Sequence, residues 1–469
     1  MKRVSDFVEE NRKSIISELF ELCAVPSVEG KPEKGRAVGK YPDEAIRKAC
    51  EIASRYGIAT DYREDRGYAL CSLGNGEKTI AVIGHADIVP PGEGWTVTEP
   101  FKPVEKDGYL FGRGVMDNKE AIVAGIYVQR AVKELKLPVR SRLLTVVGGN
   151  EETTMDDIKN LAADGETPDL SIVADSSFPG CRCEKDLADV ALLCRRPFED
   201  VKELAGGTVR NAVAGKAFAR FENKEGLKAA LSKLCEKEPR LTLSVENGEL
   251  ILRAEGVTAH AASPAGSVNA VALLTASLCS CEALSENDKS ILSAAAKASS
   301  DHYGSGVYIN AEDEETGKLT CVCGLASTEE RRLKLRFDIR VCRASNREKM
   351  ESGFTRFCLD HGFDMTVLRY SSGYFLPLDD PRLNALLDAY KEVTGNFDAK
   401  PFVMGGGTYA RHLKNAIPFG PGMRNKPKWL PAGHGGSHQP DEAIGTDDLM
   451  KAIKIYILAV LRADKELNK

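Results

Sequence analysis

Three short apolar runs in the first 185 residues each pass directly into a polar segment. The apolar runs and the segments that follow them are 79–83 before 84–87, 143–147 before 148–152, and 170–174 before 175–176. Unbroken apolar strands separated by helical segments indicate a largely parallel sheet that is covered on both faces. Because open sheets of this kind bind ligands beyond the carboxyl ends of their strands, the polar segments are expected to meet at one edge.

The helical segments around these strands favour the same architecture. Amphipathic patterns predict helices over 4–22, 43–56 and 119–135. After about residue 376 this style returns, with a helix over 381–394 that has Asp380 as its N-cap, and a final helix that begins near Thr446.

The middle of the sequence has a different pattern. Segments 241–245 and 249–254 flank Asn247-Gly248, which predicts a type I′ hairpin, and residues 333–341 alternate strictly between apolar and polar. Helices are predicted over 226–235 and 267–281. We therefore expect a doubly wound α/β domain with a largely parallel sheet, built from 1–185 and 376–469. An α+β insertion over 186–375, of one or two subdomains, interrupts it.

Charge and hydropathy exclude several classes of protein. The 469 residues carry 64 basic and 69 acidic side chains, so the net charge of −5 creates no field favouring nucleic acid or anionic lipid. The first 22 residues are charged every few positions, and the longest uncharged stretch, 257–281, contains His260 and Pro264. We expect no signal peptide, no membrane span, mostly reduced cysteines and a cytoplasmic location.

Five residues could ligate metal: His85, Asp117, Glu152 and Asp175 near the expected sheet edge, and His438 in the glycine-rich loop 433–438. Four of these elements have a simpler interpretation when taken alone. His85 could be a hydrogen-bonded strand end, and Asp117 could be a helix N-cap with Glu120 completing a capping box. Glu151-Glu152 could be a solvated turn, and Asp175 could cap a turn. Their joint placement favours a metal site, because three clustered carboxylates repel one another without a cation.

Charge counting indicates how many ions such a site would hold. Two divalent ions and one bridging hydroxide balance three carboxylates, whereas a single ion with the same hydroxide leaves an excess of negative charge. The sequence therefore predicts two divalent metal ions. Mixed imidazole and carboxylate ligands suit Zn²⁺, with Mn²⁺ and Co²⁺ left open.

Several motifs together resemble one enzyme family. Segments 84–87 (GHAD), 112–120, 151–152 and 405–411 resemble the dinuclear metallopeptidases related to aminoacylase, carnosinase and the ArgE/DapE deacylases. Within that family, 419–422 and 438–442 are most similar to the PepV-type (Sapep-like) dipeptidases. The resemblance extends over nearly the whole chain, in order.

The resemblance implies a role for each candidate ligand. His85 and Asp175 are implied to bind one ion, Glu152 and His438 the other, and Asp117 to bridge both. Because the ligand of the family lies in the string that begins at 438, we select His438 over His434, four residues earlier.

Two further residues of the same edge are implied to act beside the metals. Asp87 is implied to orient His85, and residues i and i+2 of a strand do share a face. Glu151 is implied to be the general base, because a carboxylate near the metal-activated water can accept its proton at neutral pH.

The insertion is implied to form a lid that supplies substrate-binding residues. His260 matches the histidine that stabilises the oxyanion, Arg340 the arginine that binds the substrate's C-terminal carboxylate, and Asn211 a substrate-contacting asparagine. Ala214 stands where the family often has proline, which departs from the pattern around Asn211. Gly406 is implied to offer backbone groups to the substrate.

Three of these residues also have simpler interpretations. His260 is then an ordinary loop histidine, Gly406 a plain turn, and Arg340 part of a solvated face with residues 334, 336 and 338.

The expected protein is a monomeric two-metal dipeptidase that hydrolyses small peptides with a free C-terminal carboxylate. A metal-bridged hydroxide attacks and Glu151 transfers the proton. No nucleic acid or membrane partner is expected. Two alternatives remain open: an N-acyl amino-acid deacylase on the same scaffold, and an inactive metal-dependent peptide-binding protein.

Overall fold

The computed structural model describes residues 2–32, 35–423 and 425–469 and divides them into two compact units. The first unit comprises the chain up to Arg182, Phe375–Phe402 and Thr408–Lys469. The second unit comprises Cys183–Tyr374 and Val403–Gly407. The second unit also takes in the short segment that contains Gly406.

The helices are amphipathic or buried segments of 8 to 22 residues. In chain order they are α1 Lys2–Glu10, α2 Arg12–Cys23, α3 Lys40–Arg55, α4 Lys119–Glu134, α5 Asp156–Ala163, α6 Glu225–Lys237, α7 Ala270–Leu278, α8 Glu286–Ala298, α9 Arg347–His361, α10 Pro381–Thr394 and α11 Thr446–Leu467, with 3₁₀ turns at Ser305–Val307 and Tyr409–His412.

The strands are short, and the longest of them, with 10 residues each, lie in the second unit. In chain order they are β1 Ala59–Arg63, β2 Tyr68–Leu73, β3 Thr79–His85, β4 Val104–Lys106, β5 Tyr109–Phe111, β6 Arg142–Gly148, β7 Leu170–Val173, β8 Ser176–Ser177, β9 Cys181–Glu184, β10 Asp186–Cys194, β11 Val201–Gly206, β12 Lys216–Glu222, β13 Leu241–Glu246, β14 Glu249–Glu255, β15 Glu312–Asp313, β16 Gly317–Lys318, β17 Thr320–Glu329, β18 Arg332–Val341, β19 Phe363–Ser371, β20 Tyr374–Phe375, β21 Phe402–Met404, β22 Ala416–Pro418, β23 Pro421–Gly422 and β24 Ala443–Gly445.

The first unit is built on a six-stranded sheet in the order β1-β2-β6-β3-β7-β22. Strands β6, β3, β7 and β22 are mutually parallel, and β1 and β2 add an antiparallel edge. The buried side chains of this sheet and of α2, α3, α4 and α11 form one apolar core. The expected α/β class with a largely parallel sheet is therefore confirmed.

The second unit contains an eight-stranded antiparallel sheet in the order β13-β14-β12-β11-β17-β18-β10-β19. Helices α6, α7, α8 and α9 contribute to a separate core. The predicted hairpin is present, with Asn247 and Gly248 both at positive φ (49° and 79°), as a type I′ turn requires. This architecture is the α+β insertion that the sequence predicts.

Two helices differ from the predicted ones, and each difference has a local cause. The helix expected over 4–22 is divided at Asn11, whose backbone departs from helical geometry (φ −97°, ψ 2°). The carbonyl of Phe7 accepts both from the backbone N–H of Asn11 (3.2 Å) and from its side-chain Nδ2 (2.8 Å). The helix expected over 267–281 begins only at Ala270, because the side chain of Asn269 accepts from the backbone N–H of Val271 (2.9 Å) and so caps it.

Within the described ranges, no helix combines the length and apolar character needed to cross a bilayer.

Candidate metal centre and substrate-binding residues

The carboxyl ends of three adjacent parallel strands bring the first candidate residues together. His85 is the last residue of β3, which pairs with β6 on one side and with β7 on the other. Glu151 and Glu152 follow β6, and Asp175 follows β7. The sheet therefore brings these side chains to one edge, as the pattern of apolar runs predicts.

Asp117 reaches the same edge from the start of α4. The residue at the N-cap position is Asn118, and its side chain makes no capping bond. Instead Asn118 Oδ1 accepts from the backbone N–H of His85 (3.2 Å), and Nδ2 donates to the carbonyl of Ala174 (2.6 Å). Asn118 thus ties the start of α4 to the ends of β3 and β7, and Asp117 is not the N-cap.

The five candidate ligands form two triads that share Asp117. His85 Nε2 lies 3.3 Å from Asp117 Oδ1 and 4.0 Å from Asp175 Oδ2. His438 Nε2 lies 3.1 Å from Asp117 Oδ2 and 3.0 Å from Glu152 Oε1. The potential ligand atoms of each triad lie within 4.8 Å of one another. The two oxygens of Asp117 face different histidines, which is the arrangement of a bridging carboxylate.

The buried imidazole of His85 is prepared to donate a lone pair. Its Nδ1 lies 3.0 Å from the carbonyl oxygen of Asp87, which accepts its proton in a hydrogen bond. Nε2 is buried and has no hydrogen-bond partner among the described residues. An unpartnered imidazole nitrogen between two carboxylates fits a divalent cation, which would satisfy all three groups.

The pKa values of the residues in the two triads also favour a cation site. Hydrogen bonds to Asp117 and Glu152 raise the pKa of His438 to about 11. Burial opposes ionisation of Asp117, but its contacts with the imidazoles of His438 and His85 outweigh burial and hold its pKa well below the ordinary value. The carboxylates thus strongly favour positive charge between them, as a cation site does.

The loop that carries Glu151 and Glu152 is held by Asp87. The carboxylate of Asp87 accepts from the backbone N–H of Glu151 (3.1 Å) and of Glu152 (3.0 Å). The same carboxylate lies 3.4 Å from His85 Nδ1. Asp87 therefore positions both the expected base and two candidate ligands. Its contacts are broader than the single imidazole contact that the sequence suggests.

Glu151 has the environment of a proton acceptor. It is buried, and burial together with the negative charges of Asp175 and Glu152 raises its pKa well above that of an ordinary carboxyl. Its oxygens belong to neither triad. A raised pKa makes a carboxylate a better base near neutral pH.

A second buried carboxylate, Asp157, supports the preceding part of this loop. Its Oδ2 accepts from the backbone N–H of Gly149 (2.7 Å) and Asn150 (2.8 Å), and from the hydroxyl of Tyr409. A Cβ on Gly148 would lie 2.1 Å from that hydroxyl, so only glycine fits there. No sequence motif marks Asp157, whose partners are two backbone N–H groups and a hydroxyl far along the chain.

The loop that carries Asp117 is held by Glu442, which the sequence analysis quoted only as part of a motif. Glu442 Oε1 accepts from the backbone N–H of Gly114 (3.1 Å), Met116 (2.9 Å) and Asp117 (3.1 Å), and Oε2 pairs with Arg113. Burial raises the pKa of Glu442 to about 7 against the lowering effect of Arg113. Glu442 is thus a positioning residue for Asp117.

The two histidines of the C-terminal loop have different neighbours. His434 Nδ1 lies 2.8 Å from Asp441, which also accepts from the backbone of Thr96 (2.8 Å) and Val97 (2.9 Å). His438 lies in the second triad instead, with its backbone in the left-handed region (φ 61°).

In the second unit, the loops that carry Asn211 and His260 are paired. An antiparallel bridge joins Ala212 to His260, and the Asn211 carbonyl accepts from the backbone N–H of Ala261 (2.9 Å). The two predicted substrate-binding residues are therefore neighbours.

His260 is an exposed imidazole with a defined tautomer. Its Nδ1 accepts from the backbone N–H of Ala262 (3.2 Å), so the neutral ring carries its proton on Nε2. Partial burial and the positive charge of Arg340 lower its pKa, which keeps the ring neutral at pH 7. Nε2–H is thus available as a neutral hydrogen-bond donor.

Arg340 lies on β18 and is buried. Its Nε and Nη2 donate to the two oxygens of Asp338 (2.6 and 3.1 Å), and Nη1 donates to the carbonyl of Gly405 (2.6 Å). The backbone partner in this segment is Gly405, so the role of Gly406 stays a prediction. On the alternating face, Lys334 and Arg336 are partly exposed, whereas Asp338 and Arg340 are not, so a fully solvated face is wrong.

Comparison with known proteins matches this chain to one family of peptidases. A model of the family described as "Peptidase family M20/M25/M40" matches residues 81–462. YtjP of Bacillus subtilis, named a "putative dipeptidase", is 27% identical over 98% of this chain and 99% of its own length. SH1171 of Staphylococcus haemolyticus, named in the same way, is 26% identical over 97% of each chain.

Solved structures agree in fold. Human carnosine dipeptidase 1 superposes with a TM-score of 0.56 at 16% identity, covering 99% of each chain. The dipeptidase Dug1p of Saccharomyces cerevisiae superposes with a TM-score of 0.58 at 13% identity, covering 99% of this chain and 98% of its own.

Proposed function

This chain belongs to peptidase family M20/M25/M40, and from that premise we propose that it is a two-metal dipeptidase. Its relatives over nearly the full length carry dipeptidase names, which supports this substrate class. The substrates of the proposed enzyme are short peptides with a free C-terminal carboxylate.

One observation carries the proposal: two ligand triads share Asp117 beside a buried carboxylate that belongs to neither. A protein that only binds peptides needs no such proton acceptor, whereas amide hydrolysis does. The position of Glu151, next to the candidate ligand Glu152, therefore favours an enzyme over a peptide-binding protein.

The proposed chemistry divides between the metals and the residues around them. Two divalent ions, most simply Zn²⁺, would supply an activated water and polarise the scissile carbonyl. His85 and Asp175 would hold one ion, Glu152 and His438 the other, and Asp117 both. Glu151 would accept a proton from the attacking water and deliver it to the leaving amine.

Residues of the second unit would bind the substrate. His260 would donate from Nε2–H to the oxyanion that develops on the scissile carbonyl, a role that its neutral tautomer suits. Arg340 would bind the C-terminal carboxylate through a charge-assisted fork.

A substrate panel tests the dipeptidase assignment against the deacylase alternative. The purified, Zn²⁺-loaded protein is assayed with a set of dipeptides and with N-acetyl and N-succinyl amino acids that have the same C-terminal residues. We expect higher kcat/KM for the dipeptides. A consistent preference for the acyl amino acids would replace the dipeptidase by a deacylase.

The oxyanion role of His260 gives a sharper expectation. His260→Ala should lower kcat by about 10²–10³-fold with a small change in KM, the usual effect of removing one oxyanion donor. Steady-state kinetics measures this. Because His260 is exposed, the Tm should change little.

His302, which also belongs to the second unit, provides a matched control for this variant. His302 Nε2 lies 3.1 Å from the hydroxyl of Ser267, and the side chain is partly buried. His302→Ala should keep kcat near the wild-type value. A similar loss of kcat in both variants would argue against a specific role for His260.

A further inference from the structure

The Arg340 guanidinium is held so that a defined part of it stays available. Of its five N–H groups, Nε–H and one on Nη2 donate to Asp338, and one on Nη1 donates to the carbonyl of Gly405. Two N–H groups remain, one on each terminal nitrogen. A carboxylate that binds in fork geometry needs one donor from each of these nitrogens.

The carboxylate of Asp338 is shared by a second arginine. Arg210 Nη1 donates to Asp338 Oδ2 at 3.0 Å, the same oxygen that accepts from Arg340 Nη2. Two guanidinium groups on one buried carboxylate leave one positive charge in excess. Asp338 therefore orients Arg340 without cancelling the charge that attracts an anion, and the excess matches a single carboxylate.

The neighbouring strand provides an internal comparison. Asp189 on β10 lies directly opposite Asp338 on β18 in the antiparallel pair, and it is also buried. Asp189 forms its bidentate pair with Arg336, through Nε at 2.8 Å and through Nη2. Asp189 Oδ2 also lies 3.8 Å from Nε of Arg210, which is farther than the 3.0 Å contact of Arg210 with Asp338. The two aspartates thus have the same chemistry and burial, but only Asp338 contacts Arg340.

We propose that Asp338 is a positioning residue, which presents the two remaining N–H groups of Arg340 to one carboxylate, the C-terminal carboxylate of the substrate. Arg210 supplies the excess positive charge. This inference rests on the proposed function, because it takes the ligand of Arg340 to be a peptide carboxylate.

The test measures the preference for a free carboxylate within each protein. The dipeptide of the panel with the highest kcat/KM and its C-terminal amide are assayed on the metal-loaded enzyme, and the ratio of the two kcat/KM values is compared between variants. The fraction of folded protein cancels in this ratio, so a destabilised variant is still informative.

We expect Asp338→Asn to lower the ratio at least about tenfold, mainly through the KM of the dipeptide, because a displaced guanidinium loses its fork geometry. Arg210→Gln should lower the ratio less, since it removes charge but leaves Arg340 oriented. Asp189→Asn should keep the ratio within about twofold of the wild type.

Three outcomes would overturn the inference, and the first two are distinguishable from the third. An unchanged ratio in Asp338→Asn, or an equal fall of the ratio in Asp189→Asn, would reject the positioning role of Asp338. Arg340→Gln would then still remove the preference for the free carboxylate, so the role of Arg340 would stand. A wild-type enzyme without a preference for the free carboxylate would reject the proposed role of Arg340 itself.

Discussion

Glu151→Gln should lower kcat by about 10²–10⁴-fold while the protein still binds two metal ions. The amide has nearly the same shape as the carboxylate but cannot accept a proton, so the expected loss is that of one positioned acid–base group. Because Glu151 belongs to neither ligand triad, metal content should stay at the wild-type value. Steady-state kinetics gives kcat, and elemental analysis of the dialysed protein gives the metal content.

Asp156→Asn is the matched control for this variant. Asp156 lies five residues further along the chain, and its carboxylate is exposed and paired with Lys159. Its substitution should leave kcat within about twofold of the wild type. Wild-type turnover in Glu151→Gln would contradict the proposed mechanism, and loss of metal in that variant would indicate that Glu151 is a ligand.

The shared position of Asp117 makes metal stoichiometry a second strong test. Asp175→Ala and Glu152→Ala should each reduce the bound metal from two ions to one per chain, because each residue belongs to one triad. Asp117→Ala should reduce it toward zero and should lower kcat/KM by roughly 10³-fold or more, since the loss of metal removes several kcal/mol of transition-state stabilisation. Elemental analysis after dialysis measures the ion count.

Two controls complete this test: removal of the metal by a chelator, and substitution of the exposed carboxylate of Asp156. Exhaustive treatment of the wild type with a chelator should abolish activity, and readdition of Zn²⁺ or Mn²⁺ should restore it. Asp156→Ala should retain two ions. Full activity after chelation, or a normal ion count in Asp117→Ala, would be incompatible with a site bridged by this residue.

Local sequence patterns predict much of the fold because they reflect local physics. The helix Pro381–Thr394 has the predicted limits, since Asp380 caps its first turn (2.9 Å to the N–H of Arg382) and Gly395 follows at φ 72°. The edge of the parallel sheet follows from where apolar runs end. Asn11 divides the first predicted helix by its non-helical backbone geometry, and an amphipathic pattern does not contain that information.

The residues that support the candidate site are less accessible to sequence reasoning. Asn118 and Glu442 bind backbone groups of segments distant in the chain, so no spacing or periodicity identifies them. Asp157 binds the nearby backbone of Gly149 and the distant hydroxyl of Tyr409, and nothing in the sequence pattern marks either contact. Asp338 looks like part of a polar strand face, and its burial depends on neighbouring strands. The roles of the ligands, of Glu151 and of the second-unit residues stay predictions until the experiments above are done.

The order of the candidate ligands along the chain has a consequence for biosynthesis. His438 is synthesised after the other four, and Glu442, which fixes the Asp117 loop, follows it. A nascent polypeptide that has emerged only through the insertion already contains the first triad but has two of the three members of the second. If both ions are required, hydrolytic capacity arises only after His438 has been synthesised, so the shorter nascent chain lacks the second site.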